Sequence, residues 1–494
     1  MPDNSIRVRF APSPTGHVHL GSARTALYDY LFAKQKNGKF ILRIEDTDQN
    51  RYVEGAEQEL IDGLHWLGID WDEGPFKGGP YGPYRQSEKK DTYLKYAEEL
   101  IEKGHAYYCF CSSQRIKSLR EAMREQKKSS LYDGLCRRIP LEEAKNRVAN
   151  GEQHVIRFKT KKDGETVVHD LLRGEIRFPN NTLDDYIIVK SDGWALYHLA
   201  ATVDDHLMRI SHVIRGSEWL PTSPLHHQIW KAFGWEEPKW VHLSVFLKPS
   251  GKGKMSKREA AELSGDGYSI FLKDLESLGY LPEAVINWIA LMGWSYDDKT
   301  EFFLMGDLID KFSLEKLNPS PAAINFSKLD HFNKLHIKHL SDDELAHRIQ
   351  PFFIKEGIDA PFDKLRQIVP VIKERLITLD DSINWCKFLF VDEISTEPES
   401  LVLHEMSKAD SFEIAEKLLL VLTQIEEWNI EIIENSVKKL MADASLTPKQ
   451  LFSFLRNAIS GQSVTPPLFE CMLVMGKEKV VERMEKATNL LASL

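Results

Sequence analysis

Residues 6–48 read IRVRFAPSPTGHVHLGSARTALYDYLFAKQKNGKFILRIEDTD, and this stretch decides the fold class. Residues 6–10 alternate apolar and arginine side chains as a strand does, and the prolines and glycine of residues 12–16 end that pattern. Residues 22–35 place Ala23, Leu27 and Leu31 on one helical stripe, and residues 39–46 form a second strand after a turn. This order predicts a βαβ unit that opens a parallel, doubly wound sheet.

The carboxyl ends of such strands predict where the active site lies. Ligands bind in the crevice outside those ends, so the loop 11–16 and the acidic run 45–48 should face one crevice. Residues 91–103 are expected to form a helix, and residues 153–159, 166–178 and 185–190 are expected to form strands of an α+β insertion. From about residue 271 onward helical stripes dominate. The prediction is an α/β catalytic domain followed by a mainly helical half.

Length and composition narrow the class of protein. A chain of 494 residues predicts roughly three to five compact units. Hydrophobic residues make up 42% and charged residues 28%, and no apolar run is long enough to span a membrane. The first residues lack the pattern of a signal peptide. Five cysteines, odd in number and mostly dispersed, do not suggest a disulfide framework and favour a reducing cytoplasm.

Charge is unevenly distributed along the chain. The formal net charge of -10 argues against non-specific coating of nucleic acid. Two local runs are basic, RIKSLREAMREQKK at residues 115–128 and KPSGKGKMSKR at residues 248–258. We interpret the first as a solvated helix face. The glycines and proline of the second predict a loop, on which clustered lysines repel one another unless an anion joins them.

Two separated motifs predict chemistry on a phosphate. His17 and His19 stand just before a predicted helix, whose N–H groups and dipole favour phosphate oxygens. Lys254 and Lys257 supply two ammonium groups that could neutralise charge as pyrophosphate leaves an α-phosphorus. Each motif alone is weak, and together they point to nucleotide chemistry.

Longer stretches resemble a known family. The segments APSPTGHVHLG, ILRIEDTDQNRYVEGAEQELIDGLHWLGIDWDEGP, GPYRQSE, YHLAATVDDHLM, VIRGSEWL and KMSKR closely resemble bacterial glutamyl-tRNA synthetases, which are class I aminoacyl-tRNA synthetases. Residues 19–22 correspond to the family's HIGH tetrapeptide and residues 254–257 to its KMSK loop. The resemblance covers nearly the whole chain and implies a Rossmann-type catalytic domain.

The resemblance also implies the reaction and its partners. Glutamate and ATP, accompanied by Mg²⁺, would give an adenylate and pyrophosphate, and the terminal adenosine of tRNA(Glu) would then accept the glutamyl group. It implies a monomer with five parts. These are a catalytic domain (1–95 and 198–240), an acceptor-stem insertion (96–197), a KMSK and stem-contact domain (241–335), and a helical anticodon-binding domain in two parts (336–395 and 396–494).

The candidate substrate-binding residues divide into two groups. A guanidinium binds a carboxylate through two parallel hydrogen bonds, so Arg9 and Arg215 are candidates for the γ-carboxylate of glutamate, and Glu45 suits its ammonium group. By resemblance, the other residues at the glutamate site are Ala11, Ser13, Tyr197 and Trp219. The ATP site would comprise His17, His19, Gly21, Ser22, Glu218, Lys254, Ser256 and Lys257, of which His19, Lys254 and Lys257 are the catalytic candidates.

Several neighbouring residues have other interpretations. We expect Asp46 and Asp48 to be structural, because aspartate is common at helix N-caps. We expect Arg7, two residues before Arg9, to be a surface arginine of the strand. Ala201 stands where the family often has asparagine, so one hydrogen bond of the pocket should be made differently.

Three cysteines raise the question of a metal. Cys109, Cys111 and Cys136 resemble a zinc site of some family members, but Arg138 stands where those have histidine, and arginine does not bind zinc. Tyr132 could be a fourth ligand. From the sequence, we favour small, partly buried cysteines without metal over bound Zn²⁺.

Other functions remain for comparison. Glutaminyl-tRNA synthetases usually have PPEPNG where this chain has APSPTG, and the shorter tRNA-modifying relative lacks an anticodon-binding region. A non-catalytic tRNA-binding paralogue would not need both His19 and Lys257, and a small-metabolite nucleotidyltransferase would not need the long helical tail. Charging of tRNA(Gln) in addition to tRNA(Glu) stays open.

Overall fold

The computed structural model describes residues 5–48, 51–127, 129–253 and 268–493. The chain divides into two compact units. The first comprises Met1–Leu275 and Val285–Phe326, and the second comprises Glu276–Ala284 and Ser327–Leu494. The finer division into five domains stays a prediction.

All of the described strands belong to the first unit. They are β1 (Arg7–Phe10), β2 (Lys39–Leu42), β3 (Ala106–Cys109), β4 (Val155–Phe158), β5 (Glu165–Asp170), β6 (Gly174–Pro179), β7 (Ile187–Val189), β8 (His212–Gly216), β9 (Lys239–Leu243), β10 (Phe246–Leu247) and β11 (Ala322–Ala323).

Helices separate these strands. They are α1 (Leu20–Gln35), α2 (Ala56–Trp66), α3 (Lys90–Glu102), α4 (Ser113–Glu125), α5 (Leu141–Ala149), α6 (Tyr197–Leu207), α7 (Ser223–Phe233), α8 (Leu272–Ser277), α9 (Pro282–Leu291) and α10 (Met305–Lys311).

The candidate site lies on parallel strands, of which β1 and β2 are the two that the sequence predicts first. β1 pairs with β2 in parallel, and β8 and β5 each pair with β9 in parallel. Ser211, just before β8, donates its backbone N–H to the Arg7 carbonyl at 2.9 Å, which brings β1 beside β8. Val8, Ile41 and Ile214 are fully buried because helices cover the sheet. The predicted α/β class and parallel βαβ opening are confirmed.

One predicted strand is wrong in detail. Residues 166–178 form a hairpin instead of one strand, since β5 ends at Asp170 and β6 begins at Gly174. Gly174 has a positive φ of 74°, which glycine adopts without strain, and the chain reverses there. The two strands pair antiparallel, and β5 then extends the parallel sheet next to β9. The insertion has its own antiparallel sheet of β3, β4 and β7.

The second unit is helical, as predicted. Its helices are α11 (Phe326–His339), α12 (Asp342–Lys355), α13 (Phe362–Ile372), α14 (Asp381–Cys386), α15 (Lys408–Gln424), α16 (Ile430–Asp443), α17 (Pro448–Ser460), α18 (Leu468–Met475) and α19 (Lys477–Ala492). Ser341 and Thr447 begin α12 and α17 with capping boxes, which satisfy free N–H groups of the first turn. Across the described residues, no helix is both long and apolar enough to cross a bilayer.

Helix α1 buries an acid in the first unit. Asp29 is fully buried, and neither of its carboxylate oxygens has a hydrogen-bond partner within the described ranges. Burial raises the pKa of Asp29 well above its ordinary value, Arg9 opposes this rise, and Asp205 adds to it. The neutral carboxylic acid is therefore the favoured form of Asp29.

Replacing Asp29 with asparagine should make the protein more stable than the wild type near pH 8, because asparagine cannot ionise. The gap should grow by about 1.4 kcal/mol per pH unit over the range in which only the unfolded wild-type chain has lost the Asp29 proton. The pKa of Asp29 is raised on folding, so the unfolded chain releases this proton first as the pH rises. The wild type then loses stability progressively above about pH 4, whereas the variant has no such loss. The thermal midpoints of the two proteins should diverge between about pH 5 and pH 8.

Asp310→Asn is the matched control, because Asp310 is exposed on α10. Its thermal midpoint should follow the wild type at every pH. A pH-independent gap between Asp29→Asn and the wild type would contradict the assignment of a raised pKa to Asp29.

Candidate functional site

Arg215 lies near the carboxyl end of β8, where the sequence predicts the crevice. Its side chain is only 6% exposed, and its donors meet neutral groups. Nε donates to Nε2 of His242 at 3.0 Å, Nη1 to the Tyr197 hydroxyl at 3.1 Å and Nη2 to Oγ of Ser223 at 3.3 Å. A guanidinium has five N–H donors, so Nη1 and Nη2 each keep one N–H. That pair matches a carboxylate bound through both oxygens.

His242 is held in one tautomer beside Arg215. Its Nδ1 lies 2.7 Å from Oδ2 of Asp170, and the same oxygen accepts the His242 backbone N–H at 3.0 Å. Because Nε2 accepts from Arg215, the proton must lie on Nδ1. Burial lowers the pKa of His242, the Asp170 hydrogen bond opposes this, and Arg215 adds to the lowering. The imidazole is therefore a neutral acceptor, and no described carboxylate contacts Arg215 directly within 4.0 Å.

An aromatic wall completes this side of the pocket. Tyr197 begins α6, and its ring lies 4.3 Å from that of Trp219. Trp219 is 37% exposed, on the turn Ser217–Thr222 that also carries the exposed Glu218. A Cβ added at Gly216 would lie 2.2 Å from a Glu218 carboxylate oxygen, so a larger residue there would displace the exposed Glu218 side chain.

Arg9 and Glu45 are tied into a buried ion network. Nε of Arg9 donates to Oδ1 of Asp205 at 3.0 Å, and Nη1 of Arg43 donates to the same oxygen at 2.7 Å. Nη2 of Arg43 binds Oε1 of Glu45 at 2.9 Å. Burial would raise the pKa of Asp205, but Arg43 and Arg9 outweigh it and the pKa is lowered. Asp205 is thus a carboxylate that orients both arginines, and Arg43 orients Glu45.

Arg9, Glu45 and Arg215 lie close to one another and to Tyr197. Nη1 of Arg9 lies 3.4 Å from the carbonyl of Ile214, the residue before Arg215. Burial raises the pKa of Tyr197, Arg215 and Arg9 oppose the rise, and Glu45 adds to it, so all three charges act on this phenol. The structure therefore brings together four of the predicted residues, Arg9, Glu45, Tyr197 and Arg215.

The loop after β1 follows the end of β2. The backbone N–H of Glu45 donates to the Pro12 carbonyl at 2.9 Å, and that of Arg43 to the Phe10 carbonyl at 3.0 Å. Ala11 is half-buried and Ser13 is exposed in this loop. Ala11 and Ser13 flank Pro12 in the sequence, so the hydrogen bond from Glu45 to Pro12 places both near Glu45.

Arg7 and Asp46 make contacts outside the candidate site. The expected surface position of Arg7 is wrong, because its side chain is buried. Arg7 forms a bidentate pair with Glu73 at 2.7 and 2.8 Å and donates to the Met208 carbonyl. Asp46 accepts the backbone N–H of Ser87 at 2.8 Å. Both contacts join segments of the scaffold.

His19 has a role that the sequence did not reveal. It is the N-cap of α1, and its Nδ1 accepts the backbone N–H groups of Gly21 at 3.0 Å and Ser22 at 3.3 Å. The expectation that these N–H groups would be exposed to phosphate is wrong, because the imidazole covers them. A neutral imidazole that accepts at Nδ1 carries its proton on Nε2, and His19 is exposed. A Cβ at Gly21 would lie 2.9 Å from the His19 ring, which explains the glycine.

His17 is engaged elsewhere in the same loop. Its Nδ1 lies 2.7 Å from a carboxylate oxygen of Glu59 on α2, and its ring meets the edge of Phe271. His17 is exposed, so its Nε2 faces outward from an oriented ring. The predicted ATP-site histidines are both fixed through Nδ1.

The predicted lysine loop, with Lys254, Ser256 and Lys257, lies outside the described residues. The chain that follows it returns to the histidine loop. Leu20 donates to the Ile270 carbonyl at 2.9 Å, Leu272 donates to the Val18 carbonyl at 3.0 Å, and His19 forms a β-bridge with Phe271. Residues 270–272 are thus attached beside His19.

The cysteine cluster forms a compact group in the insertion. The sulfurs of Cys109, Cys111 and Cys136 lie within 4.8 Å of one another, and those of Cys111 and Cys136 are 3.6 Å apart. The Tyr132 hydroxyl lies 3.5 Å from the Cys109 sulfur and 3.4 Å from the Cys111 sulfur. Arg138 is exposed.

Sequence reasoning missed the residues that support the pocket. Arg43, Asp170, Asp205, Ser223 and His242 are all buried. Arg43 could have been recognised from the sequence, because it is a charged residue in the otherwise apolar strand FILRI. The others lie in segments without a motif, and only the tertiary structure brings them to Arg9 and Arg215.

Comparison with known proteins identifies the family. Residues 5–331 match the model of the catalytic domain of class I tRNA synthetases (E and Q), and residues 344–488 match an anticodon-binding domain. A glutamate–tRNA ligase of Dehalococcoides mccartyi is 43% identical over 99% of both chains, and one of Borrelia recurrentis is 42% identical over 99% of this chain and 96% of its own.

A solved structure supports the same assignment. The glutamate tRNA ligase from Elizabethkingia meningosepticum, crystallised in complex with its amino acid, superposes with a TM-score of 0.89 at 35% identity and covers 98% of this chain and 99% of its own. The chain therefore belongs to the glutamate–tRNA ligases among the class I tRNA synthetases.

Proposed function

We propose that the protein activates L-glutamate with ATP and transfers it to the 3' terminal adenosine of tRNA(Glu). The observation that carries this proposal is Arg215, a buried guanidinium whose three contacts are neutral and whose two remaining N–H groups match a carboxylate. The γ-carboxylate of glutamate supplies that anion. Glutamine presents an amide there. An amide has only one acceptor oxygen and no negative charge, so it cannot form the paired, charge-assisted hydrogen bonds that a carboxylate forms with a guanidinium.

The first step joins the two small substrates. Arg215 and Arg9 hold the γ-carboxylate, and Glu45 holds the substrate ammonium with Oε2, the oxygen that Arg43 does not bind. An α-carboxylate oxygen attacks the α-phosphorus, and the bond to the bridging oxygen breaks. His19 donates from Nε2 to the phosphates, while Lys254 and Lys257 neutralise the departing pyrophosphate, which Mg²⁺ accompanies.

In the second step, the 2'-hydroxyl of the terminal adenosine attacks the carbonyl carbon of the adenylate. AMP leaves with the electron pair of the broken C–O bond, and the hydroxyl proton is released. Cytoplasmic location, a monomeric state and the choice between tRNA(Glu) alone and tRNA(Glu) plus tRNA(Gln) stay predictions of the sequence.

The function is tested by aminoacylation of purified tRNA(Glu) and tRNA(Gln) with labelled glutamate and glutamine, together with pyrophosphate exchange with and without tRNA. We expect charging with glutamate and none with glutamine. Glutamate on tRNA(Gln) identifies a non-discriminating enzyme. The absence of any glutamate-dependent charging overturns the function and favours a non-catalytic tRNA-binding protein.

Arg215→Gln is the variant for the same assay. It should raise KM for glutamate by roughly 100-fold or more, because a carboxylate in a buried site loses its charged partner, and leave KM for ATP nearly unchanged. Arg209→Gln, at an exposed arginine just before β8, is the matched control. An unchanged KM for glutamate in Arg215→Gln would remove Arg215 from the glutamate site.

The cap geometry of His19 allows its two roles to be separated. His19→Asn should keep the helix cap, since asparagine is a preferred N-cap residue, but lose the Nε2 donor. We expect kcat to fall by roughly 100-fold while the thermal midpoint stays near that of wild type. His19→Ala should lose both the helix cap and the Nε2 donor, and its stability should fall by about 1 kcal/mol. A near-normal kcat in His19→Asn would show that the imidazole only caps α1.

We further propose that the cysteine cluster holds Zn²⁺. A tetrahedral zinc with Zn–S bonds of about 2.3 Å places its sulfurs roughly 3.8 Å apart, close to the 3.6 Å between Cys111 and Cys136. The Tyr132 hydroxyl supplies the fourth donor that Arg138 cannot. Zinc there would be structural, and it would fix the chain just before α4.

Metal analysis tests this site directly. Protein purified without chelator should contain about one zinc per chain, Cys111→Ser should lose it, and Cys386→Ser, at a buried cysteine of the second unit, should keep it. Zinc near zero in the wild type would restore the metal-free arrangement that the sequence favours.

A further inference from the structure

Arg215 and His242 meet because two neighbouring strands place them side by side. β8 and β9 are parallel, and the two residues are partners in their register. Register partners lie on the same face of a sheet, so the His242 ring reaches the guanidinium, and Nε of Arg215 donates to Nε2 at 3.0 Å. Trp240, two residues before His242, shares this face, and its ring centre lies 4.9 Å from Cζ of Arg215. Strand β9 therefore presents two neutral side chains to Arg215.

The carboxylate of Asp170 lies behind His242, on the side away from Arg215. Asp170 ends β5, and its Oδ1 accepts the backbone N–H groups of Leu172 at 3.0 Å and Arg173 at 2.9 Å. Its Oδ2 accepts from Nδ1 of His242 at 2.7 Å and from the His242 backbone N–H at 3.0 Å. These contacts use the roughly four acceptor positions of a carboxylate. Asp170 is thus held by the turn of the hairpin and acts on Arg215 only through the imidazole.

Asp170 also determines which nitrogen of His242 is the acceptor. A neutral imidazole has one N–H and one acceptor nitrogen, and the partner of one nitrogen sets the state of the other. Because the Asp170 carboxylate accepts at Nδ1, the lone pair of Nε2 points at Arg215. A carboxylate behind the ring also makes Nε2 a stronger acceptor. Together, Asp170 and His242 orient Arg215 without placing an anion on it.

We propose that His242 is a specificity-determining residue of the amino acid site, since it orients Arg215 as a neutral acceptor and leaves the positive charge for the substrate side chain. The inference rests on the proposed function, which makes glutamate the substrate. His242 acts through Arg215 and is therefore a positioning residue. A residue without an acceptor at this place would leave one N–H of a buried guanidinium unpaired, and Arg215 would lose its fixed orientation.

The same reasoning predicts the effect of an anion in direct contact with Arg215. A protein carboxylate there would neutralise the guanidinium before any substrate arrives. The γ-carboxylate of glutamate would then enter a site that already holds its counter-charge, and its advantage over the neutral amide of glutamine would shrink. Selection for charge therefore requires that the contacts which orient Arg215 stay neutral.

The orienting role is tested with His242→Gln and His242→Leu. Glutamine offers a neutral oxygen that can accept from Nε of Arg215, whereas leucine has a similar size and no acceptor. KM for glutamate should stay within about threefold of wild type in His242→Gln and rise roughly tenfold or more in His242→Leu, with kcat and KM for ATP little changed in both. Thermal midpoints separate this rise from a loss of folding. Equal KM values for glutamate in the two variants would overturn the role of His242.

The requirement for neutrality is tested at Ser223, whose Oγ accepts from Nη2 of Arg215 at 3.3 Å. Ser223→Asp and Ser223→Asn are matched in size and differ in charge. Ser223 is the first residue of α7, where an acid is favoured, so Ser223→Asp should fold. The ratio of kcat/KM for glutamate to kcat/KM for glutamine should fall roughly 100-fold in Ser223→Asp and less than about tenfold in Ser223→Asn.

Both pairs of variants are measured on the full chain by pyrophosphate exchange with tRNA present. A Ser223→Asp variant that keeps the wild-type ratio, or a ratio that falls equally in Ser223→Asn, would overturn the proposal, because the charge of Arg215 would then need no protection. A wild type without any glutamate-dependent exchange would instead refute the proposed function.

Discussion

The site depends on one buried carboxylate, that of Asp205. Its Oδ1 accepts a hydrogen bond from Arg9 of β1 at 3.0 Å and another from Arg43, just after β2, at 2.7 Å. A single carboxylate oxygen on α6 therefore orients the arginines at the ends of both strands. The adjacent Asp204 binds Lys89 at 2.6 Å and Tyr93 at 2.8 Å. Helix α6 thereby joins the opening βαβ unit to α3. Buried ion pairs contribute little net stability, but removing one partner leaves an uncompensated charge, so the network fixes geometry.

The charges of the pocket match its proposed substrate. Arg9, Arg43 and Lys89 face Glu45, Asp204 and Asp205, and these six charges balance when Asp29 is a neutral acid. Arg215 stands outside this balanced group, and the buried carboxylate of Asp170 reaches it only through the neutral His242. The carboxylate of glutamate can therefore pair with Arg215 directly, whereas glutamine is neutral and leaves this buried guanidinium without a direct anionic partner.

The sequence predicts the parts of this site that lie in continuous motifs. The βαβ order, the crevice loop, and Arg9 and Arg215 as neighbours follow from residues 6–48 and from the family resemblance. Asp205, His242 and Asp170 were missed because their roles depend on strands and helices up to 196 residues apart in the chain. His19 was predicted as a phosphate ligand, but its cap role required the side-chain rotamer. The hairpin in residues 166–178 was missed because Leu171 and Leu172 lie at the turn, and apolar side chains do not indicate a reversal of the chain.

The chain of contacts from Asp170 through His242 to Arg215 explains how a guanidinium can be oriented and still keep its charge. A carboxylate in direct contact would fix Arg215 equally well, but it would neutralise the cation and compete with the substrate. The neutral imidazole of His242 lies between Asp170 and Arg215. Nδ1 of His242 donates its proton to Asp170 at an N–O distance of 2.7 Å, and Nε2 accepts from Arg215 at 3.0 Å. Tyr197 and Ser223 likewise accept hydrogen bonds without bringing charge. The orienting contacts thus use three N–H groups, and the positive charge stays available for the carboxylate that the pocket selects.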